Sequence, residues 1–85
     1  CKSCTAFREN LGARYLSSTT NVAAPLRYVD VATQEPTAFH LRAEINIVPT
    51  IVVMQDGREV DRLEGYPLSE LLFGMVRARV GSPSE

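Results

Sequence analysis

Apolar positions recur at helical spacing from the start of the chain. Cys4, Phe7, Leu11 and Tyr15 fall at i, i+3, i+7 and i+11, with Arg8, Glu9, Asn10 and Arg14 mostly on other faces. The spacing predicts an amphipathic helix over residues 4–17. The polar run Ser17-Ser18-Thr19-Thr20-Asn21 then reads as a loop. Residues 26–31, Leu-Arg-Tyr-Val-Asp-Val, are β-branched and aromatic and predict a strand. Pro36, with Thr33 upstream as an N-cap, opens a short helix expected to end near Ala43 or Glu44. A nearly continuous apolar run over residues 50–55 predicts a strand covered on both faces. Asp56-Gly57 is a tight-turn signal, so residues 58–63 return antiparallel. The charges of that strand, Arg58, Glu59, Asp61 and Arg62, suit a protected sheet edge, and its imperfect alternation allows a bulge. Pro67 opens a last helix to about Val80, with Leu68, Leu71, Leu72, Met75, Val76 and Val80 as its apolar stripe. Residues 81–85 read as a frayed tail. Phe7, Tyr15, Phe39 and Phe73 are core candidates, and Tyr28 suits either sheet face.

An alternating first part followed by an antiparallel edge predicts an α/β fold with a mixed sheet and flanking helices. Composition narrows the class. At 85 residues the chain is one domain, and 45% hydrophobic with 22% charged residues is ordinary globular composition. Nine Lys+Arg against ten Asp+Glu leave a formal charge of −1, which gives no footing for nucleic acid as a partner. The longest apolar run, residues 47–54, is broken by Pro49-Thr50 and falls short of the roughly 20 residues a membrane helix needs. No phosphate loop, nucleophile elbow or metal-spaced histidine cluster occurs, and no cofactor is expected.

Both cysteines, Cys1 and Cys4, lie at the start as C-x-x-C. A bridge across so short a loop constrains little chain, so the pair reads as chemistry rather than scaffolding. Residues i and i+3 on a helical turn sit about 5–6 Å apart at Cβ, close enough to open and close a disulfide without moving the fold. At the helix start the outward N–H groups and the positive dipole end favour thiolate at Cys1, below the free value of about 8.5. Lys2 adds a cation in the same sense. Cys4, one turn in, is expected to be less exposed. The predicted roles are attack by Cys1 and resolution by Cys4. Other readings stand beside this one. Half a zinc site would need further ligands, and the chain has a single histidine, His40, expected on the middle helix. A lipid-modified Cys1 leaves Cys4 without a purpose, and two ordinary buried thiols leave the helix start unexplained. Asp30 suits a loop or capping acid. A chain that starts on Cys with no initiator Met reads as processed or truncated, and no signal segment is visible.

Val48-Pro49-Thr50 leads into the second predicted strand. Together with the C-x-x-C, the hairpin and the final helix, it resembles the thioredoxin superfamily. That resemblance implies that Pro49 is a cis proline opposite the cysteines. It also implies that Val48 offers backbone to an extended substrate segment, and that Gly65-Tyr66 forms a further groove loop. Residues 24–30 and 57–67, the latter Gly-Arg-Glu-Val-Asp-Arg-Leu-Glu-Gly-Tyr-Pro, are similar to the periplasmic thioredoxin-like proteins of bacterial sulfur-oxidation (Sox) systems.

The expectation that follows is a periplasmic thiol–disulfide oxidoreductase. It would keep thiols of the sulfur-oxidising machinery reduced or free of adducts. Its partners would be a protein carrying a disulfide or mixed disulfide and an electron-donating dithiol protein, a membrane-bound one among the candidates. A non-catalytic redox-sensing or protein-binding module is the alternative. The intervening Lys2-Ser3 lacks the proline of typical thioredoxins, so these two residues modulate a poise left open across roughly −270 to −120 mV. Thioredoxins also carry a central strand just before the first cysteine. The resemblance therefore implies a thioredoxin-like domain over residues 1–85 that is partial at its N-terminus. The strands at 26–31 and 50–55 would then flank the missing one rather than pair.

Overall fold

The Asp56-Gly57 signal marks a tight reversal of the chain. A computed structural model describes residues 1–32 and 40–80. In it Asp56 and Gly57 have φ of 54° and 78°, the pair of positive values that a two-residue hairpin turn needs. The turn joins β1, Thr50–Gln55, to β2, Arg58–Glu64, in an antiparallel pair. Before the hairpin come α1, Lys2–Glu9, α2, Leu11–Leu16, and α3, Thr20–Ala23, and after it α4, Ser69–Val80. Phe7, Leu11 and Tyr15 from the first two helices, Val53 from β1, and Leu72 and Val76 from α4 form the buried cluster. Tyr15 is held further by its hydroxyl, which donates to the Ala24 carbonyl at 2.6 Å.

Several expectations need correction. The single helix over residues 4–17 is two helices, broken at Asn10. Its side-chain Nδ2 donates to the Ala6 carbonyl at 2.8 Å, the oxygen that its own backbone N–H also uses. This competition for a backbone acceptor is why Asn is a poor interior helix residue. The polar run after it is not only loop. Asn21 clips it by donating to the Leu16 carbonyl and accepting from the Leu26 N–H, and α3 forms between those contacts. Residues 26–31 carry no strand ladder, because neither described strand lies beside them. They also do not pair with β1, and the Asp30 carboxylate accepts from the Ala32 N–H in a local turn. Finally, residues 40–44 are not helical. His40 instead makes an isolated parallel bridge with Arg58, outside the two-stranded antiparallel sheet. The rest of that expected helix, with Thr33, Pro36 and Phe39, lies outside the described residues. The last helix is also apolar over a narrower stripe than expected. Leu72 and Val76, four apart, are buried, while Leu68, Leu71 and Val80 are exposed.

The bulge is present, and it matters. Val53 pairs with Asp61 but Met54 pairs with Glu59, so β2 carries one extra residue, Val60. Without it, Glu59 and Arg62, three apart, would face opposite ways. With it they lie opposite Met54 and Val52, on one face. Of the four charges expected on this protected edge, Arg58 stays exposed and Asp61 half-exposed, while Glu59 and Arg62 are drawn against the protein. Glu59 is 6% exposed and is gripped by the Arg62 guanidinium, with Nε at 2.7 Å from one carboxylate oxygen and Nη2 at 2.8 Å from the other.

The hydrogen bond from Arg62 holds the Glu59 carboxyl below its ordinary value, against the opposing effect of burial. The Arg42 N–H and the two arginine charges add to it. Stability from such a lowered carboxyl is complete above the unfolded glutamate value of about 4.3 and is lost as pH falls through the folded value. Urea midpoints measured from about pH 7 down to about pH 3 should therefore fall more steeply for the native protein than for Glu59→Gln. Parallel curves would show that another group carries the acid sensitivity.

Candidate functional site

α1 starts where it does because Cys1 caps it. The Cys1 Sγ accepts from the Cys4 N–H at 3.1 Å, where a Ser, Thr, Asp or Asn oxygen commonly sits. The Thr5 N–H reaches the Cys1 carbonyl at 3.1 Å and closes the first turn. Cys1 and Cys4 are joined as a disulfide with Cα atoms 5.2 Å apart, inside the ordinary range for such bridges. Cys1 is exposed and Cys4 half-buried, while Lys2 and Ser3 fill the exposed turn between them.

The Val48-Pro49 peptide is cis, and its loop faces the helix start. The Val48 carbonyl oxygen lies 3.7 Å from the Cys1 Sγ. A disulfide sulfur has no hydrogen, so this is a contact in the oxidised state. In a reduced Cys1 the same sulfur can donate to that oxygen. The loop is tied on its far side, where the Gly65 N–H donates to the Pro49 carbonyl at 2.8 Å. The Thr50 hydroxyl caps it from within by donating to the Ile47 carbonyl. Ile47 and Val48 stand exposed beside the sulfur-bearing turn. Cys1, Cys4, Val48, Pro49 and Gly65 are thus linked into one locale by direct contacts. His40 is not helical, as noted above, and is engaged with Arg58; Asp30 caps its own turn.

An aromatic base under this locale escaped the sequence reading. Phe7 packs edge-on against Tyr66, with ring centroids 5.7 Å apart, and against Tyr28 at 6.4 Å. The Arg8 guanidinium lies 4.0 Å from the Tyr28 ring centre. Gly12 leaves room for this, since a Cβ there would meet the Tyr28 hydroxyl at 2.1 Å. The helical spacing of Phe7 signals burial, but nothing local in sequence ties it to rings some twenty and sixty residues away.

One solved structure bears on the fold. The chain matches the crystal structure of the periplasmic thioredoxin SoxS from Paracoccus pantotrophus, reduced form, with a TM-score of 0.78 and 26% identity. The match covers 95% of this chain and 85% of that one. The fold is thioredoxin-like. No family model and no curated protein matches the chain. A thioredoxin-like fold with a C-x-x-C disulfide at a helix N-terminus supports thiol–disulfide oxidoreductase chemistry in general, with protein disulfides as the broad partner class. Among the described residues no helix is long and apolar enough to cross a membrane, and no group of His, Cys, Asp and Glu is placed to hold a metal.

Gly65, with φ of 85°, occupies backbone space that a side chain disfavours by about 1–2 kcal/mol. An added Cβ would meet nothing within 4 Å, so the effect of Gly65→Ala is confined to the backbone. A loss of about 1–2 kcal/mol in urea unfolding is expected, with Gly65→Asn losing less. An unchanged midpoint would mean that the thioredoxin-like loop relaxes and that its grip on Pro49 is not needed for stability.

Proposed function

We propose that this protein is a periplasmic reductase of protein disulfides or mixed disulfides, linked to a sulfur-oxidation system. The observation that carries the reading is the cysteine pair at the start of α1, with Cys1 exposed and facing the Val48 carbonyl. The periplasmic and Sox-linked parts rest on the likeness to SoxS and on the 57–67 segment.

In the reduced protein the Cys1 thiolate attacks one sulfur of a substrate disulfide. A new S–S bond forms, and the other substrate sulfur leaves as thiolate and takes a proton from water. The Cys4 N–H, which points at the Cys1 sulfur in the oxidised protein, is placed to steady negative charge there. The Cys4 thiolate then attacks the Cys1 sulfur of the mixed disulfide. The second substrate thiolate leaves and the Cys1–Cys4 disulfide is restored. Two electrons pass to the substrate, and a dithiol protein must return them by the same exchange. Val48 and Pro49, with Gly65 behind them, would hold an extended substrate segment against Cys1. Lys2 and Ser3 tune the potential of the pair.

Cys1→Ser should abolish reduction of insulin disulfides by an external dithiol. Cys4→Ser should instead accumulate a covalent mixed disulfide, visible as a mass increase that reductant removes. If the native protein cycles between dithiol and disulfide but turns over no substrate, it is a redox-sensing or binding module. If Cys4→Ser traps nothing, the assigned order of attack is wrong.

A further inference from the structure

The Val48–Pro49 loop is fixed on its C-terminal side by β1 and by Gly65. Its N-terminal approach, residues 41–47, forms no strand or helix of its own. His40 makes one bridge to β2, through the Glu59 N–H to its carbonyl at 3.0 Å. Beyond that point two side chains of β2 take over. The Glu59 carboxylate accepts from the Arg42 N–H at 2.8 Å. The Arg62 guanidinium, already paired with Glu59, donates to the Ala43 carbonyl at 2.8 Å and the Glu44 carbonyl at 3.0 Å. The Arg42 guanidinium returns to the Val60 carbonyl, the bulge residue, at 3.4 Å. Glu59 and Arg62 thus do for residues 42–44 what a third strand would do with its ladder. Four residues further on is Val48, whose carbonyl oxygen faces the Cys1 sulfur.

We propose that Glu59 and Arg62 are positioning residues that set the substrate-docking edge at Val48 by clamping the stem of its loop. The inference rests on the oxidoreductase reading above. Neither residue touches the sulfurs in the oxidised protein, so their effect reaches Cys1 only through the placement of residues 45–48. A buried carboxylate with three donors keeps the guanidinium in one orientation, and the guanidinium keeps two carbonyls in register with β2. Lysine at 62 would keep the charge but lose the planar fork that serves carboxylate and carbonyls together.

The test compares a protein disulfide, which needs the docking edge, with a small aromatic disulfide, which needs only the sulfur. Native protein, Glu59→Gln and Arg62→Lys are assayed for insulin reduction with an external dithiol. Their reduced forms are also assayed for reaction with 5,5′-dithiobis(2-nitrobenzoate). Both variants should raise KM for insulin on the order of tenfold while kcat changes little. Reaction with the small disulfide should stay within about twofold of native. Unchanged insulin kinetics in both variants overturns the proposal. So does an equal loss on both substrates, since that marks damage to the sulfur chemistry or the fold. Should one variant fail to fold, the other decides alone by the same split. The native protein tests the parent reading separately: if it reduces neither substrate, the oxidoreductase reading falls and the positioning role falls with it.

Discussion

The burial of Phe7 holds the site together. This ring is 3% exposed and sits two turns along the helix that Cys1 caps. It contacts Tyr66, which follows Gly65. The Gly65 N–H holds the Pro49 carbonyl, and Val48 before it faces the Cys1 sulfur. The contacts therefore form a closed ring that starts and ends on α1. Burying an aromatic of this size contributes on the order of 2–3 kcal/mol and is non-directional, so by itself it would tolerate a rotated helix. The directional parts of the ring, the glycine N–H and the sulfur cap, convert that burial into one angle of approach between helix and loop.

The loop is held by different kinds of force on its two sides. On the C-terminal side it runs into a ladder of backbone hydrogen bonds, which depend little on side-chain identity. On the N-terminal side it depends on one buried ion pair and the carbonyls that the pair collects. Breaking a buried pair by removing one partner leaves the other uncompensated, so this side is the more sensitive to substitution. The bulge at Val60 connects the two. One inserted residue turns Glu59 inward onto the face of Arg62, and the pair then reaches across to residues 42–44.

The hairpin was legible in sequence because its signals are local: two residues that accept positive φ, directly after the β-branched run of residues 50–53. The cysteine pair was legible for the same reason, since its spacing alone places both sulfurs on one turn. The Val-Pro-Thr segment pointed to the thioredoxin-like fold only in combination with that pair. What failed depended on partners. Residues 26–31 have strand composition, but a strand exists only where a neighbour supplies a ladder, and the described residues offer none. The apolar period runs straight past Asn10, but its backbone leaves the helical region there and its side chain shares the Ala6 carbonyl with its own N–H. The imperfect alternation of β2 allowed for the bulge, but which residue it inserts, and so that Glu59 and Arg62 share a face, depends on the register with β1.

The position of the disulfide explains why the fold can carry a reactive pair at all. The six residues of the buried cluster include neither cysteine. The loop that the bridge closes is so short that it removes little entropy from the unfolded chain compared with a bridge across a long loop. The Cys4 N–H that caps onto the Cys1 sulfur needs an acceptor, and a thiol or thiolate can serve as well as a disulfide sulfur. Opening the bond therefore leaves the helix cap, the aromatic base and the loop anchors in place. The change falls on the hydrogen and charge of one exposed sulfur beside the Val48 carbonyl. A stapling disulfide would tie redox state to stability, whereas here packing carries stability and the proposed exchange at the sulfurs costs the fold little.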